Sequence, residues 1–222
     1  MTNHIEIKDI PSLPFGIKKA INNETMAIFI GAGVSRLIGC DDWDTLAKKL
    51  VRKCREVGEI TPISEHSMLE ESDKIKLISI CHNILPRDAF MGELKKSLKD
   101  GEANNINIDD EKLTIYRDLK ELANTFITTN ADRYINKLMD NNNITINVFS
   151  LNNIKNVFSL SNIKNDNLYK IHGCISDEQS LVFTKEKYIK RYTDKRFDEF
   201  INQFFCHYTV LFVGYSLSDL SF

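Results

Sequence analysis

The sequence predicts an α/β domain with a Rossmann-like, mostly parallel sheet, helices on both faces and a helical insert. Three observations predict it. Short apolar runs recur along the chain, amphipathic helical patterns lie between them, and clusters bearing glycine, asparagine or histidine stand where the runs end. Strands alternating with helices imply parallel pairing, with both sheet faces covered. Ligands of such sheets belong at the carboxyl ends of the strands.

The first run, MAIFI at 26–30, is short, wholly apolar and closed by Gly31, which suits a buried parallel strand. From Trp43, the residues Leu46, Ala47, Leu50, Val51 and Cys54 recur at i, i+3, i+4 spacing with lysines and arginines between them, the pattern of an amphipathic helix. The stretch 64–122 is helical and polar-faced. It divides into a segment over 64–85, a second over 87–99 ending near Gly101, and a third after Asp109 and Asp110, whose side chains are suited to capping orphan amides. We read about 60–122 as an insert within one domain spanning 1–222. Further strands are expected at 125–128, 144–149, 168–171, 181–183 and 209–213, with helices around 132–139 and 194–206.

One short repeat, NVFSLNNIK from Asn147 and NVFSLSNIK from Asn156, is too brief to stack a core of its own and reads as a duplication in a surface connection.

Composition narrows the function. The 222 residues carry 42% hydrophobic and 27% charged side chains, ordinary globular values, with a formal net charge of -2. No global positive field exists to hold a nucleic-acid backbone or an anionic membrane, so small ligands and protein partners are expected. No apolar stretch approaches the roughly 18–20 residues of a membrane span, and MTNHIEIKD does not read as a secretory signal. The five cysteines, Cys40, Cys54, Cys81, Cys174 and Cys206, never pair at CxxC spacing, which argues for reduced cytoplasmic thiols and against structural zinc. Cys54 and Cys206 are expected to pack in the core.

Four clusters carry the chemistry. Gly31, Ala32, Gly33 and Ser35 follow the first run; such a turn brings backbone close to a phosphate, although glycine there also serves sterics alone. The third glycine of GxGxxG falls at Arg36, so this is not the dehydrogenase fingerprint. Thr129, Asn130 and Asp132 lie in TTNAD, where a neutral amide suits a ribose hydroxyl and a water, while Asp132 also suits a helix cap. His172 ends KIH before Gly173, at a strand end where an imidazole with an ordinary pKa of about 6.5 exchanges protons at neutral pH. Gly214, Ser216 and Leu217 belong to GYSLSD. His4, His66, His82 and His207 sit in helical or terminal contexts.

The order GAGVS, TTNAD, IHG, GYSLSD resembles the sirtuin family, and more closely the bacterial sirtuin-like effector domains associated with phage defence. GCDDW is similar to the family's GIPDF, matching Gly39, Asp42 and Trp43, with Asp41 in place of proline. The resemblance implies that Asn130 and His172 are the catalytic pair, that Gly31, Ala32, Gly33, Ser35, Asp42, Trp43, Thr129, Asp132, Gly214, Ser216 and Leu217 bind NAD, and that NAD is a substrate rather than a resident cofactor. Ordinary sirtuins carry a zinc ribbon after the histidine, whereas only Cys174 and Cys206 lie between His172 and Gly214, so no zinc is expected. That departure tells against deacylation. An NAD glycohydrolase is expected, with an NAD or ADP-ribose sensor and a protein deacylase as the alternatives. The resemblance further implies a homo-oligomer, a sensor or ATPase partner, or both. In the family, more strand and helix follow the GYSLSD region, so either this chain is a fragment or a neighbouring subunit supplies those contacts.

Overall fold

A computed structural model describes residues 12–141, 144–148 and 166–216. Five strands, β1 Met26–Ile30, β2 Thr125–Thr128, β3 Thr145–Val148, β4 Asn167–Lys170 and β5 Thr209–Val213, form one sheet in the order β3-β4-β2-β1-β5. All four pairings are parallel. Eleven α-helices accompany them among the described residues: α1 Phe15–Asn22, α2 Ala32–Leu37, α3 Trp43–Glu56, α4 Pro62–Leu69, α5 Lys74–Ile84, α6 Arg87–Ser97, α7 Asp100–Asn105, α8 Thr114–Leu122, α9 Tyr134–Asn141, α10 Lys185–Tyr192 and α11 Lys195–His207. None is long and apolar enough to cross a membrane.

Alternation along each strand assigns the two faces. Met26, Ile28, Ile30, Phe126 and Leu168 point to a core shared with Val34, Tyr116, Leu119, Ile135 and Leu138 of the helices on that side. Ala27, Phe29, Ile127 and Tyr169 point to the other, where Phe197, Phe200, Ile201 and Phe204 of α11 cover them. The sheet is therefore covered on both faces, as its apolar runs require.

A third core stands beyond the strand ends. Leu46, Leu50, Val51 and Cys54 of α3 pack with Leu77, Ile78 and Cys81 of α5, Phe90 and Leu94 of α6, and Leu181 and Phe183. The helices at 62–97 are thus seated over the carboxyl edge of the sheet.

Several boundaries differ from the sequence expectation. The segment over 64–85 is two helices, because Asp73 accepts from the Lys76 amide and starts a new one, while Thr61 and Pro62 begin the first. Helix α6 ends before Gly101: Lys99 turns left-handed at φ 50° and the chain re-enters a helix at Asp100. The run 181–183 is not a strand. Leu181 and Phe183 are buried in the third core, and the amide of Val182 donates to the His172 carbonyl at 3.0 Å, so apolarity here records packing rather than sheet pairing. Cys206 is exposed, since the buried stripe of α11 runs 197, 200, 201, 204 and position 206 lies about 200° round from 204. Cys54 is buried. Phe149, His4 and nearly all of the duplicated NVFSL segment lie outside the described residues.

Candidate active site

Strands β1, β2, β4 and β5 end on one edge, and the four sequence clusters follow them directly. The β1 and β5 loops are pressed together. The Gly31 amide donates to the Val213 carbonyl at 2.9 Å and the Gly33 amide to the Gly214 carbonyl at 2.8 Å. A Cβ at Gly31 would lie 2.5 Å from the Gly214 oxygen, and one at Gly33 would lie 2.8 Å from both that oxygen and the Gly214 Cα. Steric need accounts for both glycines, and their amides are already spent on β5. Gly214 itself takes φ 66° against the Val34 amide.

The β2 loop is bound to the β1 loop by a buried polar chain. Asn130 Nδ2 donates to the Gly31 carbonyl at 2.9 Å and to Ser35 Oγ at 2.8 Å, and Ser35 Oγ donates to Asp132 Oδ2 at 2.5 Å. Asp132 Oδ1 accepts from the Tyr134 amide at 3.1 Å and so holds the start of α9. Both hydrogens of the Asn130 amide are committed to protein oxygens, so the amide is held in one orientation. Its Oδ1 takes no donor among the described residues and is the part of the group left for a ligand hydroxyl or a water. Beneath them lies Lys170, fully buried, whose Nζ donates to the Asp132 carbonyl at 2.6 Å and to Asn136 Oδ1 at 3.2 Å.

Two adjoining cavities open over these loops. One, of about 400 Å³, is lined by Ala32, Gly33, Ser35, Asp42, Trp43, Thr129, Asn130, Asp132, Gly214 and Ser216, among others. The second, of about 290 Å³, is lined by His172, Tyr188, Asp73 and Ile75. Trp43, Lys74, Thr129 and Tyr215 wall both. Both are close to the roughly 300–1,000 Å³ range of small-ligand sites. Of the sequence candidates, Asn130 and most of the expected NAD-binding positions therefore line the first cavity and His172 the second. Gly31 stands behind the first wall as backbone support, and Leu217 lies outside the described residues.

The carboxylates around the first cavity have partners. Asp42 accepts from the Thr45 amide at 2.8 Å, which holds its carboxyl below the usual range, and it faces Arg36 at 3.6 Å. Asp44 is bridged by Lys48 at 2.5 Å and Lys74 at 2.9 Å, and Asp41 by Lys49 at 2.5 Å. Trp43 packs on Phe183 with ring centroids 5.0 Å apart, joining the cavity wall to the third core. The cations Arg36 and Lys74 reach the cavity lining itself.

His172 sits on the turn after β4. Its Nε2 lies 2.7 Å from the Tyr192 hydroxyl, and its ring meets Tyr188 and Tyr192 edge-on at 5.1 and 5.8 Å. Burial, and secondarily the Arg191 guanidinium, push the imidazole down to about 3, so it is neutral at physiological pH. Nδ1 is buried and meets no hydrogen-bond partner among the described residues.

Residues 124–222 match the model of the SIR2-like domain. The chain is 27% identical over 210 residues to the NAD(+) hydrolase ThsA of Bacillus cereus (strain MSX-D12), a match covering 90% of this chain and 39% of that protein. Over residues 124–222 the chain is SIR2-like. It spans well under half the length of that relative.

Sequence reasoning did not single out Lys170, Tyr188, Tyr192 or Tyr215. A lysine in a strand reads as exposed, and nothing local marks Lys170 as buried. Tyr188 and Tyr192 did carry a signal, the i, i+4 spacing that puts two aromatics on one helix face. Among the described residues, no group of three or more histidine, cysteine or acidic side chains is placed to hold a metal ion.

Proposed function

We propose that this chain hydrolyses NAD+ at the nicotinamide-ribose bond. The observation that carries the reading is the placing of Asn130 and His172 on two cavities that share four wall residues, over the carboxyl edge of the sheet. Likeness to a named NAD(+) hydrolase supports it.

The leaving group is a pyridinium that departs neutral, so the reaction needs no general acid. The bond from ribose C1′ to the nicotinamide nitrogen breaks and its electron pair leaves with nicotinamide. Water forms the new bond to C1′ and gives up a proton, yielding ADP-ribose. The protein's task is to orient the ribose, stabilise an oxocarbenium-like centre and admit one water. In this reading Asn130 Oδ1 orients the ribose hydroxyl or the water, because both its Nδ2 hydrogens are fixed. The 31–35 turn, with Arg36 beside it, receives the diphosphate. His172 accepts the proton from the water or a ribose hydroxyl. Nδ1 is buried, so a substrate proton reaches it only if the ligand displaces what covers it. Trp43 and Tyr215 wall the passage between the cavities. Such activity in the cytoplasm would deplete cellular NAD+, consistent with a defence effector working as a homo-oligomer or beside a sensor or ATPase partner.

The test is chromatographic. The assembled protein is incubated with NAD+ and the products are separated; nicotinamide and ADP-ribose are expected in equal amounts. Asn130→Ala and His172→Ala should each lower the rate by about 10²- to 10⁴-fold, the usual contribution of a positioned acid-base group. Folded variants that turn over as fast as the wild type would remove both residues from the mechanism. The burial of the imidazole favours one other reading, binding of NAD or ADP-ribose without turnover. Tight calorimetric binding with no product in any assembled state would establish it.

A further inference from the structure

His172 has one hydrogen to place when neutral, and two nitrogens in different surroundings. Nε2 has the Tyr192 hydroxyl at 2.7 Å. Nδ1 is buried with no partner among the described residues. A proton on Nδ1 would leave a buried N–H without an acceptor, the rarer kind of orphan in folded proteins. A proton on Nε2 gives it the Tyr192 oxygen as acceptor and leaves Nδ1 as a bare lone pair. The Tyr192 hydroxyl also hydrogen-bonds the side chain of Tyr188, so a hydroxyl accepting from Nε2 has somewhere to send its own hydrogen. The two phenol rings stack at 4.8 Å, and Tyr188 lines the second cavity.

We infer that Tyr192 is a positioning residue for His172: it accepts from Nε2–H, fixes the imidazole as the Nε2–H tautomer and leaves Nδ1 as the basic nitrogen. This rests on the proposed hydrolase reading for its consequence in catalysis, but the tautomer assignment stands by itself. A neutral phenol in this place differs from a carboxylate. It orients the ring without adding the negative charge that would raise the imidazole's basicity. The arrangement therefore suits a base that stays unprotonated until substrate arrives. Helix α10 supplies both tyrosines, and Thr184 begins it by accepting from the Lys187 amide at 3.4 Å, so the element behind His172 has its own start signal. The Arg191 guanidinium, over the Phe197 ring at 5.5 Å, keeps positive charge near the imidazole and opposes its protonation.

Long-range proton-nitrogen correlation spectra of the histidine rings in the full chain test the assignment directly. In the wild type, Nε2 should have the shift of a protonated nitrogen and Nδ1 that of a bare one. Tyr192→Phe keeps the ring and removes the hydroxyl, and it should mix the two tautomers. A wild-type spectrum with the proton on Nδ1 would overturn the inference even if the variant failed to fold. So would an unchanged tautomer ratio in Tyr192→Phe. In NAD+ turnover, Tyr192→Phe should lower kcat by at least about tenfold while KM stays within about twofold, as for loss of a group acting only in the transition state. Equal kcat in wild type and Tyr192→Phe, with His172→Ala impaired, would defeat the inference and leave the hydrolase reading standing. A wild type without turnover but with the expected tautomer shift would do the reverse.

Discussion

Replacing Ser35 by alanine removes the centre of the polar chain that ties the β1 loop to the β2 loop. Ser35 is 4% exposed and Asp132 1%, so both are largely withdrawn from bulk water. The Ser35 hydroxyl gives a 2.5 Å hydrogen bond to the Asp132 carboxylate and accepts one at 2.8 Å from Asn130. A hydrogen bond to a charged group contributes about 1.5–3 kcal/mol, and a neutral one about 0.5–1.5 kcal/mol. Asn130 keeps the Gly31 carbonyl at 2.9 Å and Asp132 keeps the Tyr134 amide, which limits the damage. The expected loss is about 2–3 kcal/mol, which in urea moves the midpoint down by roughly 1 M at an ordinary m-value. A double-mutant cycle with Asp132→Asn isolates the pair, and the coupling should be about 1–2 kcal/mol. Singles that add to within about 0.5 kcal/mol would show that the two side chains do not cooperate, and would refute the claim that this contact holds the loops together.

Three further outcomes follow from the same geometry. Gly33→Ala should lower the Tm, at a cost of about 1–3 kcal/mol of overpacking against the Gly214 backbone, whereas Gly16→Ala, whose Cβ meets open space on α1, should not. Lys170→Met keeps the buried stem but leaves the Asp132 carbonyl without its 2.6 Å donor, so denaturant unfolding should show a loss of about 1–3 kcal/mol. His172, held near 3, should show ring resonances that do not move between about pH 8 and pH 5. Its folded-state pKa lies below the unfolded value. The stability it contributes is therefore complete above about pH 6.5 and is lost as pH falls towards 3, and His172→Phe should remove that part of the slope.

The first strand was legible because a parallel strand buried on both faces has to be an apolar run, and 26–30 is such a run closed by Gly31, whereas 125–128 carries two threonines and 209–213 is a half-buried edge strand. The same rule misread 181–183, where burial comes from Leu94, Phe90 and their neighbours rather than from a paired strand. Helix α10 was missed because KEKYIKRY is charged over most of its surface and shows only two aromatics and an isoleucine. Nothing in the sequence reading assigned α1, whose only buried residue is Ala20. In the site, Asn130 and Ser35 stood out through their motifs, but the contact between them spans 95 positions and only the fold reveals it. Tyr192 lies twenty residues from His172, on a helix that starts well beyond the turn at Gly173, so only the fold reveals their contact.

The central claim is that the loops at the carboxyl edge form one dinucleotide cleft. Trp43 is the chain's single tryptophan and it walls both cavities, so its emission reports on whatever enters them. Titration with NAD+ should give a saturable change in that emission, and ADP-ribose should compete for it. Emission that stays constant up to millimolar NAD+, while calorimetry records binding, would place the nucleotide elsewhere and contradict the account.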